Sequence, residues 1–286
     1  MKILVIGGTR FIGPPLVRDL FLRGHATTVL NRGTRPVSFP HGVNSVVGDR
    51  TRKISLPGHF DVVIDTCAYK PEDISRVFEG IHSDHYLHVG TAASYRKTHL
   101  FPLTEESPIG EWPFWGSYGV GKAACEEYLM QSGRRYGVIR PVYILGKNNP
   151  VPRESFIYAA LRRGDTIRVP GNGLALVQFV FVEDVVSSIV RMAETQATGA
   201  YNCCGPDVVT LRGLVGEMAS IAGVEPDMED NPATDGTHHD VKEFPFGNEH
   251  FFCSNRKLTM LGVEFTPLIE GLRRDYDEFY KNMTSM

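Results

Sequence analysis

Tyr118 and Lys122 lie four residues apart in Tyr118-Gly119-Val120-Gly121-Lys122. On a helix that spacing puts both side chains on one face. A phenol titrates near 10 and is a poor base at neutral pH. A neighbouring ammonium stabilises the phenolate and lowers that value. The expected chemistry is proton exchange between Tyr118 and a substrate oxygen, coupled to hydride exchange at a nicotinamide. Lys122 is expected to tune Tyr118 and also to hold the nicotinamide ribose. A third group is expected just after the apolar run 86–89, in Gly90-Thr91-Ala92-Ala93-Ser94. Thr91 is the first choice for steadying the reacting oxygen and Ser94 the second.

The nicotinamide expectation comes from the other end of the chain. Ile3-Leu4-Val5-Ile6 runs into Gly7-Gly8-Thr9-Arg10-Phe11-Ile12-Gly13, a strand feeding a glycine turn and a helix. Such a turn aims helix N–H groups at an anion, usually a dinucleotide pyrophosphate. Gly7 permits the tight turn and Gly13 close helix–strand packing. Pro14 and Pro15 fall in the first helical turn, where a missing N–H costs least. An NAD site usually carries Asp or Glu after the second strand; here Asn31-Arg32 stands there. Arg32, with Arg10 and Arg35, can hold a 2′-phosphate by forked hydrogen bonds, so the cofactor is NAD(P), with NADP favoured over NAD. Asp49 reads either as a contact to the adenine edge or as a turn cap.

The elements that must position these groups follow from the apolar pattern. Continuous runs at 3–6, 27–30, 43–47, 62–64, 86–89 and 137–140 read as parallel strands buried on both faces. Helical stretches fall at 13–23, 71–79 and 116–132, then at 154–163, 184–194, 211–222 and 269–281. The alternation predicts an α/β chain: a doubly wound parallel-sheet Rossmann fold with a smaller C-terminal substrate lobe. Residues 1–142 form the dinucleotide-binding domain, with 176–204 returning to it. Residues 143–175 and 205–286 form the smaller lobe, and 224–247 read as an extended surface loop.

On GGTRFIG, VGTAASY, YGVGK, VIRPVYILG, FVFVEDVV and GAYNCCGP the sequence resembles the extended short-chain dehydrogenase/reductase superfamily, in its NAD-dependent epimerase/dehydratase family. The resemblance implies that Thr91, Tyr118 and Lys122 are the catalytic hydroxyl, tyrosine and lysine. It implies that Arg140-Pro141-Val142 lies along the nicotinamide, and that Glu183-Asp184 starts a helix, where it also reads as an N-terminal cap. The implied substrate is a sugar or nucleotide-sugar-like small molecule, oxidised, reduced or epimerised at a hydroxyl or keto group. Two departures narrow it. Ala92-Ala93 replaces the Asp-Glu of dehydrating relatives, and Val177-Gln178 replaces an Arg-Asp whose arginine binds substrate phosphates. Phe244-Pro245-Phe246, His250-Phe251-Phe252 and Arg10 resemble the chloroplast stem-loop RNA-binding branch, which implies the alternative of an RNA-binding or regulatory protein. The resemblance also implies a homodimer packed through the Tyr118 helix, with Ala123, Ala124, Cys125, Tyr128 and Leu129.

Composition sets the outer limits. Of 286 residues, 42% are hydrophobic and 22% charged, and 30 Lys plus Arg against 33 Asp plus Glu give a net charge of -3. That disfavours a nucleic-acid partner and an anionic membrane. No apolar run is long enough to span a bilayer, and only four apolar residues separate Lys2 from Gly7, fewer than a secretory leader needs. Five scattered cysteines (Cys67, Cys125, Cys203, Cys204, Cys253) suit reduced, buried thiols, so a cytoplasmic location is expected. His88 sits in the run 86–89, with His82 and His85 before it; these and His238-His239-Asp240 lack the partners that zinc requires, loop or surface positions are the default for the rest, and no metal is expected. Trp112, Phe114 and Trp115 read either as a wall of the substrate pocket or as loop packing. Arg273, Arg274, Asp275, Asp277 and Glu278 read as a solvated helix face.

Overall fold

The computed structural model describes residues 1–234 and 240–283. Its strands are β1 (Lys2–Ile6), β2 (Ala26–Asn31), β3 (Asn44–Val47), β4 (His59–Asp65), β5 (His82–Val89), β6 (Tyr136–Pro141), β7 (Tyr143–Leu145), β8 (Ile167–Pro170), β9 (Leu176–Phe181), β10 (Gly199–Cys203), β11 (Val208–Thr210) and β12 (Met228–Asn231). The helices are α1 (Gly13–Leu22), α2 (Pro71–Gly80), α3 (Gly116–Gln131), α4 (Glu154–Arg163), α5 (Val182–Thr195), α6 (Leu211–Ala222), α7 (Arg256–Met260) and α8 (Leu268–Asp275). A π-helical turn, Tyr276–Tyr280, continues α8.

Seven strands form one parallel sheet in the order β10-β6-β5-β4-β1-β2-β3. The continuous apolar run of β1 has its physical reason here. Ile3 and Val5 join one core layer with Leu16, Val17 and Leu20 of α1, and Leu4 and Ile6 join the opposite layer with Ile74 and Val77 of α2. Burying four such side chains stabilises the fold by roughly 6–12 kcal/mol. The chain starts at β1, builds outward through β2 and β3, and returns to β4 on the other side. The strand order therefore reverses between β1 and β4, and the crevice beyond the carboxyl ends of such strands is where doubly wound sheets take ligands.

Several expectations change. The run 43–47 is not buried on both faces: β3 is the edge strand, and Val47 is 73% exposed. Of the segment 176–204, β10 joins the large sheet, whereas β9 centres a separate three-stranded sheet, β11-β9-β7. The expected surface loop 224–247 contains β12, which pairs parallel with β8, and Phe244 and Phe246, which are buried. These two rings meet Tyr143, Phe179 and Phe156, and Phe251 meets Trp112 and Trp115. Phe244, Phe246, Phe251 and Trp112 are therefore core residues. The α8 face is not fully solvated either: Asp275 is buried and bonded by Arg274, which lies over the Phe181 ring. Asp184 does not cap its helix; it accepts hydrogen bonds from the Thr266 amide and hydroxyl. His85 is not a loop or surface residue: like His88 it lies fully buried in β5, and no metal-binding cluster occurs among the described residues. His238 and His239 lie outside the described residues. All five cysteines are free, and Cys67 alone is not fully buried.

Candidate active site

A cleft of about 560 Å³ opens at the carboxyl ends of β1 to β4. Its walls are the glycine turn from Ile6 to Ile12, the segment 30–35 after β2, the segment 48–51 after β3, and Thr66, Cys67, Tyr69, Lys70 and Asp73 after β4. The size is that of a small-molecule or cofactor site. Thus Gly7, Gly8, Thr9, Arg10, Phe11, Ile12, Asn31, Arg32 and Asp49 share one cavity, as does Arg35. Gly13 lies behind it. A Cβ there would stand 2.3 Å from the Gly8 carbonyl carbon, so the space Gly13 leaves is for its own turn rather than for a neighbouring strand.

The turn suits a pyrophosphate. The Gly13 amide bonds Arg10 O (2.8 Å) and the Leu16 amide bonds Ile12 O (3.1 Å). Just before these, the amides of Phe11 and Ile12 have no acceptor among the described residues, and no side chain caps α1. Two free donors at a helix N-terminus are an anion site. Phe11, in the cleft wall, holds a left-handed φ of 43°.

At the outer end, Asn31 Oδ1 takes the Gly33 amide (2.8 Å) in a local turn. Asp49 Oδ1 accepts the Thr51 amide (2.9 Å) and hydroxyl (2.8 Å), which hold its carboxyl below the usual range. Asp49 is therefore a turn cap that also borders the cavity. The next residue, Arg50, forks onto Asp65 at 2.6 and 2.7 Å. Asp65 is fully buried at the end of β4 and also accepts from the Tyr86 hydroxyl (2.6 Å) and the Cys67 amide (3.0 Å). Burial opposes ionisation, but Arg50 and these hydrogen bonds outweigh it and bring the carboxyl to about 2.

The inner end is set by α3. The two glycines of Y-G-V-G-K let this helix touch backbone. A Cβ on Gly119 would meet Ala93 O at 2.6 Å, and one on Gly121 would meet Tyr69 O at 2.5 Å. The side chains between and beside them are thereby fixed against the loops after β4 and β5. Tyr118 is 45% exposed, and the Thr91 hydroxyl lies near enough to favour its phenolate. Lys122, 3% exposed, donates to Val89 O at 2.8 Å and lies 4.8 Å from the centre of the Tyr69 ring.

This arrangement corrects the expected electrostatics. The Tyr118 phenol lies above its ordinary value, because the protein mass around the hydroxyl penalises the phenolate; Thr91 partly offsets this. Lys122 does not lower it. Its ammonium is directed at Val89 O, and burial lowers its own value. Tyr118 is thus a neutral proton donor. Thr91 is also the cap of a short 3₁₀ turn, accepting from the Ala93 amide (3.2 Å).

Ser94 is excluded as the reacting hydroxyl. It is fully buried and donates to Thr91 O and to Glu126 Oε1, both at 2.8 Å. It belongs to a buried network in which Arg140 bonds Glu126 (2.6 Å) and Tyr95 (2.8 Å), and Tyr95 bonds Asn202 (2.7 Å). Arg140, expected beside the nicotinamide, is committed to that network. Pro141 and Val142 are buried at the end of β6, outside the cavity wall. Gln178 bonds Gly205 O (2.7 Å) and the Cys253 amide (2.8 Å), so it faces no substrate. Of the expected dimer residues, Ala123, Cys125 and Leu129 are buried in the chain's own core.

Sequence reasoning missed Tyr69, which borders the cleft and lies 6.2 Å from the Tyr118 ring, joining the two ends of the site. It also missed the Arg50–Asp65 pair. A carboxylate closing the apolar run 62–64 was the available signal, since a buried charge needs a partner.

Residues 3–204 match the NAD dependent epimerase/dehydratase family. The chain is 31% identical to the chloroplast stem-loop binding protein of 41 kDa b of Arabidopsis thaliana, over 96% of this chain and 78% of that one. It is 24% identical to a trifunctional UDP-glucose 4,6-dehydratase/UDP-4-keto-6-deoxy-D-glucose 3,5-epimerase/UDP-4-keto-L-rhamnose-reductase of the same plant, over 69% of this chain but only 30% of that much longer protein. Its fold is that of the UDP-glucose 4-epimerase of Thermus thermophilus solved with NAD, at a TM-score of 0.75 and 18% identity over 99% of this chain and all of the other. A strand-order reversal with a phosphate-ready glycine turn, ending at a tyrosine and lysine one helical turn apart, is the working arrangement of an NAD(P) enzyme, and the chain belongs to the NAD dependent epimerase/dehydratase family, among its oxidoreductases and epimerases.

Proposed function

We propose that the protein is an NADP-preferring oxidoreductase or epimerase acting on a hydroxyl or keto group of a sugar-like small molecule. The observation that carries this is half-exposed Tyr118 beside Thr91, its ring 6.2 Å from that of Tyr69 in the cleft wall, with the Lys122 ammonium one helical turn away. A bound nicotinamide dinucleotide supplies or removes the hydride. Tyr118, neutral at physiological pH, gives its proton to the carbonyl oxygen in reduction and takes one back in oxidation. Thr91 orients that oxygen. Lys122 has two donors beyond Val89 O, and these hold the nicotinamide ribose. The amides of Phe11 and Ile12 hold the pyrophosphate. Pro141 and Val142 back the nicotinamide, and Asp49 meets the adenine edge with its second oxygen.

Arg32, with Arg10 and Arg35, supports the preference for a 2′-phosphate, because no carboxylate follows β2 to repel it. Ala92-Ala93 supports reduction, oxidation or epimerisation over dehydration. In the division of labour we propose, 1–142 with 176–204 carries the dinucleotide, and 143–175 with 205–286 carries the substrate. The test is oxidation of NADPH against a panel of keto sugars. Wild type should turn over at least one of them and Tyr118→Phe should not; equal rates for the two proteins would remove Tyr118 from the chemistry.

A second reading, RNA binding in the same cleft, is favoured by the stem-loop binding relative and by Arg10, Arg32, Arg35 and Lys70 around its mouth. It requires RNA affinity that falls steeply with salt and is competed by NADP.

A further inference from the structure

We propose that Arg153 forms, beside Tyr118, a subsite for an anionic group of the substrate, a carboxylate or a phosphate. This rests on the dinucleotide-dependent chemistry inferred above. Three arginines are largely buried in or near the site. Arg50 is forked onto Asp65 and Arg140 onto Glu126. Arg153 has no such partner among the described residues. Its Nη1 donates to Ile144 O at 2.8 Å, its Nε is buried with no acceptor, and the guanidinium lies 5.2 Å from the Tyr143 ring centre. The adjacent carboxylate, Glu154, is directed away, with Oε1 taking the Gly146 amide at 2.5 Å. A guanidinium taken out of water with one neutral acceptor is unfavourable unless an anion completes it.

Its position is that of a substrate contact. The Tyr143 ring beneath Arg153 lies 5.7 Å from the Trp115 ring, and Trp115 packs on α3 at Gly119, the residue after Tyr118. On the other side Pro150, three residues earlier, borders the dinucleotide cleft. The guanidinium thus shares a neighbourhood with the cleft's Pro150 edge and with Tyr118, near enough that its charge favours the Tyr118 phenolate. An acidic group held by the remaining Nη donors of Arg153 places a neighbouring hydroxyl or keto carbon before the Tyr118 hydroxyl. The substrate class is a sugar acid, a sugar phosphate or a comparable hydroxy or keto acid, rather than a neutral sugar.

The chain's two tryptophans, Trp112 and Trp115, both flank this region, so intrinsic emission reports it. NADP is first added to saturation, with its rise in melting temperature as the check. The protein is then titrated with glucuronate, glucose 6-phosphate and glucose. A saturable emission change is expected with glucuronate, glucose 6-phosphate or both, the responding arm telling carboxylate from phosphate, and none with glucose. Arg153→Gln should still be stabilised by NADP but bind the anion at least about tenfold more weakly, the loss of one charge-assisted hydrogen bond. Should Arg153→Gln not fold, Arg153→Lys, which keeps charge but not the fork, should bind about three- to tenfold more weakly. No anion response, an equal response to glucose, or unchanged anion affinity in the variant overturns the subsite. No rise in melting temperature with NADP overturns the dinucleotide reading instead.

Discussion

Asp65→Asn isolates one charge in the wall of the cofactor cleft. The amide keeps the shape of the carboxylate, and its single oxygen can still accept from the Cys67 amide or the Tyr86 hydroxyl, which reach different carboxylate oxygens, but not from both. It cannot neutralise Arg50, whose fork spans 2.6 and 2.7 Å. A carboxyl at about 2 against an ordinary 3.8 is worth roughly 2–3 kcal/mol at neutral pH. Breaking a buried pair from one side costs about 3–5 kcal/mol, because the other charge stays buried. Both figures predict a loss of about 3 kcal/mol, which at about 2 °C per kcal/mol for a chain of this size lowers Tm by roughly 6 °C. Urea unfolding at pH 7 reads it directly. The sign with pH follows from the depressed value: the stabilisation is full above 3.8 and disappears as pH falls toward 2, so the variant should lose less between pH 4 and pH 2 than wild type. In an Arg50→Met background the same substitution should cost far less, since the unpaired charge is gone. A loss below about 1 kcal/mol, or an equal loss in both backgrounds, refutes the pairing as the source of the effect.

Tyr118→Phe should lower turnover by about 10²–10⁴ and leave dinucleotide affinity unchanged, measured by steady-state rates beside calorimetric titration. Gly121→Ala should destabilise, where the same change at an open helical glycine would stabilise by about 0.5–1 kcal/mol, and should weaken dinucleotide binding, because its Cβ would press the backbone of Tyr69; wild-type or higher stability with wild-type affinity would remove that contact from the site's architecture. Burial raises Glu154 to about 7, so its contribution is full below about 4.5 and is lost as pH rises through 7. Tm should therefore fall between pH 5 and pH 7 in wild type but not in Glu154→Gln, followed by thermal unfolding across that range.

The doubly wound sheet was legible because burial on both faces leaves a mark, the unbroken apolar runs at β1, β4, β5 and β6. The edge strand β3 broke that rule, since its apolar side chains reflect strand propensity more than burial. The smaller lobe was least legible. Its strands β7, β8, β11 and β12 are three or four residues long, and aromatic residues such as Phe244 and Phe246 are buried by partners distant in sequence. Of the candidate site, the glycine turn that lines the cleft and the shared helix of Tyr118 and Lys122 were readable from spacing. Partners brought together only by the fold were not: Arg50 with Asp65, Lys122 with Val89 O, and Arg153 with the ring of Tyr143. The expected lowering of the Tyr118 phenol depended on where the lysine points, which spacing on a helix does not decide.

Binding of the dinucleotide itself is the most direct test. Calorimetric titration with NADP, NADPH, NAD and NADH should show one saturable site per chain, tighter for the phosphorylated pair by about tenfold or more, with that margin lost in Arg32→Ser. Binding that favours NAD would contradict the role given to Arg32, and no binding of any of the four would contradict the site as a whole.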